Sequence, residues 1–172
     1  MTTKQDYTPR QETGTALSTL AQEEKKQEEI LLFALSGVLP EGQRLSLHRP
    51  LGILALLSCE NELPRMLVVQ QFTLSELCVL IPLLEAYPDY CPHEVLLACF
   101  NNGSANVTEE TIVKCRRRLH AAHMEGFFDQ EMRPVRNVLS RTRLKLHEFA
   151  VDVTSLLETG YLIRAKSRKP RK

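Results

Sequence analysis

No apolar run in this 172-residue chain approaches the ~20 residues that a helix needs to cross a bilayer. Its first residues, Met1 to Glu29, are polar and lack the basic-then-apolar layout of a secretory leader. A soluble, cytoplasmic protein is therefore expected. Glycine is scarce: seven residues lie widely scattered, and none forms a loop that could cradle a phosphate. Paired cysteines are also missing. Cys59, Cys78, Cys91, Cys99 and Cys115 are odd in number and show no paired spacing, which argues against a disulfide framework. Four of the five sit in apolar runs, where a free thiol packs as a small core group. Cys115, His120 and His123 lack a fourth ligand at metal-binding spacing. His93-Glu94 lacks the second histidine of a zinc-protease helix. No nucleophile–base order can be argued for hydrolysis. No enzyme, metal, cofactor or small-molecule ligand is expected.

What the chain does have is an uneven charge. Residues 1–100 carry a balance of −6 and residues 101–172 a balance of +7. A basic half beside an acidic half is a recognised sign of nucleic-acid contact, although a solvated basic surface gives the same count.

Residues 1–16, rich in Thr, Gln and charge, are expected to be a disordered tail. The run from Leu17 to Leu35 reads as a helix closed by Gly37 and Pro40. Residues 43–72 change period. Arg44 to His48 alternates, Gly52 to Ser58 is apolar and Met66 to Phe72 is valine-rich, so two or three short strands with a turn at Asn61 are expected. Thr73 with Glu76 makes a capping box, and Phe72 with Leu77 a hydrophobic staple, opening a helix that carries Pro82 and closes at Pro88. Pro92 opens a second helix that stops at Asn101-Asn102-Gly103. Thr108 caps a third, with Ile112, Cys115, Leu119 and Ala122 inward and Lys114, Arg117 and Arg118 outward. After a loop over Glu125–Arg133, Pro134 opens the last helix. Val135, Val138, Leu139, Thr142, Leu146 and Phe149 give it one buried stripe. Arg136, Asn137, Ser140, Arg141 and Leu144 project to the far side, with Arg143 and Lys145 on the flanks. Strands at 151–156 and 161–164 follow, and the basic stretch 165–172 is expected to be flexible.

The stretch Leu139-Ser140-Arg141-Thr142-Arg143-Leu144-Lys145-Leu146, followed by Val153 and by Gly160-Tyr161, resembles the C-terminal end of the OmpR/PhoB-type winged-helix family. The family's recognition helix carries a similar Ser-Arg-x-Arg-x-Lys-Leu pattern, then a strand, a turn and a closing Gly-Tyr strand. Thr142 stands where the family usually has Leu. Phe72-Thr73-Leu74-Ser75-Glu76 is similar to the opening of that family's first helix. The resemblance spans about residues 44 to 163. It makes Pro92–Phe100 the second helix, Thr108–Ala122 an insertion and Pro134–His147 the recognition helix. A second register starts at Cys91 and makes Thr108–Ala122 the second helix; a third places recognition at Thr108–Ala122. The first is preferred because the strands directly precede Phe72, and the third lacks a Gly-Tyr strand after its helix.

The resemblance implies an α+β fold, mainly α, namely a winged helix-turn-helix with a small N-terminal antiparallel sheet and a C-terminal β-hairpin wing. Residues 73–164 would form the DNA-binding domain, without a receiver domain, and residues 17–72 a homodimerisation region. The expected function is sequence-specific regulation of transcription on double-stranded DNA in the cytoplasm, at the nucleoid. The alternative is a winged-helix module that docks a protein. Arg133, Arg136, Asn137, Ser140 and Arg141 are expected at base edges, because Arg and Asn match the major-groove donor and acceptor pattern. Lys114, Arg117, Arg118, Arg143, Lys145 and Arg164 are expected at phosphates.

Overall fold

The computed structural model describes residues 29–59 and 63–167. The expected tail over 1–16, the N-terminal part of the Leu17–Leu35 helix, the turn at Asn61 and residues 168–172 of the basic tail lie outside them. Strands β1 (Ile30–Phe33), β2 (Gln43–His48), β3 (Ile53–Ser58) and β4 (Arg65–Gln71) form an antiparallel meander in sequence order. Helices α1 (Leu74–Ala86), α2 (His93–Asn102), α3 (Glu109–Met124) and α4 (Phe128–Leu146) follow. A second sheet has the order β5-β7-β6, from β5 (Cys91–Pro92), β6 (Val151–Leu156) and β7 (Gly160–Ala165). Among the described residues helix makes up 47% and strand 29%, so the fold is α+β with helix predominant.

Ile30–Phe33 is a strand, where the sequence predicted the end of a helix. Helical propensity of the Glu/Gln/Leu run is a local preference worth tenths of a kcal/mol per residue. Pairing with β2 over Ile30↔His48 to Phe33↔Leu45 supplies a full backbone ladder instead. Gly37, at φ +83°, then turns the chain into Leu39.

The inner sheet face carries Leu45, Leu47, Leu54 and Leu56, all buried, and they belong to the same continuous core as the helices and the β6–β7 hairpin. The division expected at residues 72 and 73 therefore does not separate two cores. Gly52 explains how the sheet meets α1: a Cβ there would stand 2.3 Å from the Phe72 carbonyl oxygen, and its φ is +63°. The chain crosses too closely for any side chain.

Thr73 caps α1 as expected. Its hydroxyl accepts from the Glu76 N–H and the Glu76 carboxylate accepts from the Thr73 N–H. Phe72 and Leu77 are both buried. Pro82 lies buried inside α1, which continues through it to Ala86. Pro92 is the N-cap of α2, one position before the first helical residue. Thr108 caps α3 through a second reciprocal box, with Thr111 as partner. Helices α1, α2 and α4 pack on one another, and α3 packs on α2 and α4.

Candidate nucleic-acid interface

Helix α4 begins six residues before Pro134. Gly126, at φ +77°, breaks α3, and the chain re-enters a helix at Phe128. A proline favours the first helical turn, so the sequence predicts Pro134 as the opening; in the structure it is interior. Its ring is on the exposed side, where water can satisfy the carbonyl that loses its partner. Acidic Asp129 and Glu131 stand in the first turn, and Arg143 and Lys145 in the last, each matching the helix dipole.

The predicted stripe holds: Val135, Val138, Leu139, Thr142, Leu146 and Phe149 are all buried, joined by Met132. Thr142 is fully buried, and its hydroxyl donates to the Val138 carbonyl at 3.0 Å. That internal bond satisfies the hydroxyl inside an otherwise apolar stripe. Opposite the stripe, Arg133, Asn137, Ser140, Arg141 and Leu144 are exposed. At 100° per residue they occupy about 100° of arc. Ser140 donates to the Arg136 carbonyl at 2.9 Å. Arg136 itself lies at the edge of this face: its Nη1 meets Asp129 at 2.6 Å and its guanidinium sits 5.8 Å from the centre of the Phe128 ring. Burial would lower its pKa; Asp129 and Tyr161 together outweigh that and raise it.

The expected phosphate contacts divide into two groups. Among the described residues Lys114 and Arg117 are exposed and form no ion pair. The others are paired internally. Arg118 meets Glu131 at 2.6 Å. Arg143 grips Asp152 with two bonds, Nε at 2.6 Å and Nη2 at 3.1 Å, and Arg164 reaches the same carboxylate at 3.2 Å. Lys145, on the opposite flank, donates to Glu76 at 2.7 Å and to the Gln71 carbonyl at 2.8 Å.

Asp152 and Glu76 were not singled out as site residues from the sequence. Asp152 is buried on β6 and also accepts from the Val153 N–H, with His147 Nε2 at 3.0 Å. Burial alone would raise its pKa. Hydrogen bonds from Arg143, His147, Val153 N–H and Arg164 outweigh it and hold the carboxyl far below the usual carboxylate range. Glu76 follows the same logic: burial opposes ionisation, while the bonds from Lys145 and the Thr73 N–H hold it below its ordinary value. A charged residue between Val151 and Val153 was the available signal for Asp152. Glu76 was legible only as a cap.

The hairpin is joined to the helices by its backbone as well. Gly160 and Tyr161 pair with Pro92 and Cys91. A Cβ at Gly160 would stand 2.1 Å from the Cys91 carbonyl oxygen, and Tyr161 is buried beside it. The Gly-Tyr pair thus has a steric reason. Among the described residues no group of His, Cys, Asp or Glu is arranged to hold a metal, and no helix is long and apolar enough to cross a membrane. Comparison with family models, curated proteins and solved structures gives no match to this chain.

Proposed function

We propose that this chain is a winged-helix protein that binds double-stranded DNA and regulates transcription. The observation that carries the proposal is α4. It buries one stripe, presents Arg133, Asn137, Ser140 and Arg141 together on the opposite face, and is followed at once by a hairpin clamped to it through Arg143 and Asp152. A major groove admits one helix, and those side chains match its base edges. The order of elements supports the first register: four strands directly before α1, then α2, then a hairpin closing after α4, with α3 inserted. In this reading α4 is the recognition helix, β6–β7 the wing, and Arg133, Asn137 and Arg141 the principal base contacts. Arg143, Lys145 and Arg164 approach phosphates with the donors their carboxylates leave over.

Self-association through the β1–β4 sheet belongs to the same proposal. Ile30 and Leu32 lie opposite His48 and Ser46, and Val69 opposite Ala55, on the face turned from the buried leucines. Ile30, Leu32, Met66 and Val69 are 44–60% exposed, and a homodimer would cover them. Paired subunits also suit adjacent half-sites on DNA. A strictly monomeric mass at high micromolar concentration, with and without DNA, overturns the dimer.

Titration of duplex DNA against salt tests the central claim. Log K should fall by roughly 0.9 per phosphate contacted for each decade of salt. Absence of binding at ~50 mM salt, or binding indifferent to salt, overturns it. The second reading is protein docking through the same helix. It is favoured by Leu144, which is 67% exposed on the presented face.

A further inference from the structure

The polar side chains on the C-terminal two-thirds of α4 fall into two sets. Four are already engaged. Arg136 pairs with Asp129, Ser140 donates to the Arg136 carbonyl, Arg143 grips Asp152 and Lys145 holds Glu76. Arg133, Asn137 and Arg141 are exposed and have no side-chain hydrogen bond or ion pair among the described residues.

These three free side chains stand four residues apart. Each such step advances about 6 Å along a helix and turns it by about 40°, so they form one row about 12 Å long. Projected at about 100° per residue, Asn137 lies nearest the point opposite the buried stripe, with Arg133 and Arg141 about 40° to either side. A helix laid in the major groove approaches the bases most closely at its middle, because the groove winds away toward both ends. The row has the side-chain lengths that this geometry asks for: a short asparagine at the closest approach, and a long arginine at each end, where the groove floor recedes. The hairpin tip adds no reader of the other groove. Leu157-Glu158-Thr159 carries none of the Arg, Lys, Asn or Gln side chains that read minor-groove edges, and Glu158 would repel phosphate. Base reading is thereby confined to the α4 row.

We propose, on the DNA-binding reading, that α4 recognises a short core in which a central A·T pair is flanked on each side by a G·C pair. Asn137 takes the adenine: its Oδ1 accepts from N6 and its Nδ2 donates to N7. Arg133 and Arg141 each take a guanine, donating to O6 and N7. Each pairing matches one base edge twice, which is what separates the right base from the wrong one. Successive base pairs lie about 3.4 Å apart along the duplex. Residues about 6 Å apart therefore meet pairs one or two steps apart, and the core spans about four or five base pairs.

The test is selection of bound duplexes from a random pool by the full chain, followed by titration of the enriched sequence and its single-position variants. The enriched duplexes should share the G·C, A·T, G·C order. Replacing the central A·T pair by G·C should weaken binding about tenfold. Asn137→Ala should remove that central preference alone. Arg141→Gln should convert one outer preference from G·C to A·T, because glutamine reads adenine as asparagine does. Both side chains are exposed, so both variants should keep the wild-type thermal midpoint. An enriched core with another order overturns the proposal and leaves DNA binding standing, as does salt-dependent binding with no enriched core. Asn137→Ala that relaxes all three positions, or none, also overturns it. Binding to no duplex at all overturns the DNA-binding reading itself, and this inference with it.

Discussion

Two neighbouring helices carry most of the positive charge of the C-terminal half, and they hold it in different ways. On α3, Arg116 and Arg118 pair with Glu94 and Glu131, whose side chains are 20% and 26% exposed. On α4, Arg143 and Lys145 pair with Asp152 and Glu76, at 7% and 4%. An exposed pair in high dielectric is worth about 0–1 kcal/mol. A buried carboxylate is different, because removing one partner strands a charge that has already lost its water. The α4 pairs therefore set position. Lys145 ties the helix to the opening of α1, and Arg143 ties it to the hairpin. The α3 pairs decorate a surface. The same residue types at similar helical spacing do different things because of what stands opposite them.

The sharpest way to break this comparison is to remove one carboxylate from each side. Asp152→Ala should cost about 2–4 kcal/mol in urea unfolding, below the full buried-pair figure because Arg143 and Arg164 are half exposed. Glu131→Ala should cost under about 1 kcal/mol. Equal losses would erase the distinction. Acid should show the same asymmetry. The folded Asp152 carboxyl titrates below its unfolded value, near 3.9, so its contribution is complete above that value and is lost as pH falls beneath it. Glu76 has the same sign. The wild-type protein should lose stability steeply below about pH 4, and Asp152→Asn should flatten that limb. A variant with an unchanged acid limb would remove Asp152 from the account.

A second break acts on the hairpin without touching charge. Gly160→Ala pushes a Cβ against the Cys91 carbonyl, which is backbone and cannot swing aside. A loss of about 1–3 kcal/mol is expected, the usual range for overpacking. The hairpin should separate from β5 while α4 stays helical. Protection of the Tyr161 amide from hydrogen exchange is the measurement; it should fall, and unchanged protection would show that the β5–β7 pairing takes up the added methyl without separating.

Much of this framework was legible beforehand because it is local. The capping boxes at Thr73 and Thr108, the stripe from Val135 to Phe149 and the hairpin around Gly160 each depend on residues within a turn or two of one another. The misses were non-local. Ile30–Phe33 is a strand because β2 lies beside it, and nothing within the segment says so. Pro134 carries a strong local meaning that the preceding Phe128–Arg133 turn overrides. The exposed face of α4 was legible from periodicity, but the pairing of its flanking cations was not. Arg143 and Asp152 are nine residues apart and Lys145 and Glu76 sixty-nine, and only the fold brings each pair together.

The third test moves from stability to binding. Arg141 is exposed on the presented face of α4 and has no ion pair among the described residues. Arg141→Ala should leave the unfolding midpoint within about 0.5 kcal/mol of wild type, as for most surface changes. If it reads a guanine through two bonds, the preferred duplex should lose about 1–3 kcal/mol and random duplex much less. Equal weakening on both would reassign Arg141 to phosphate.

The smallest effect belongs to α3, and it decides whether that helix touches DNA at all. Lys114, Arg117 and Arg118 all point away from the stripe of Cys115, Leu119 and Ala122. Arg118, however, is engaged with Glu131 at the start of α4, whereas Lys114 and Arg117 have no carboxylate partner among the described residues. Lys114 and Arg117 together, changed to Ala, should leave stability almost untouched. If both meet phosphate, the salt slope of DNA binding should fall by about two units, one for each contact. Arg118→Ala alone should change the slope by less, because its charge is already partly neutralised, and should loosen the α3–α4 contact by no more than about 1 kcal/mol. An unchanged slope in the double variant, with or without a change in association state, would make α3 a brace and confine the interface to α4 and the hairpin.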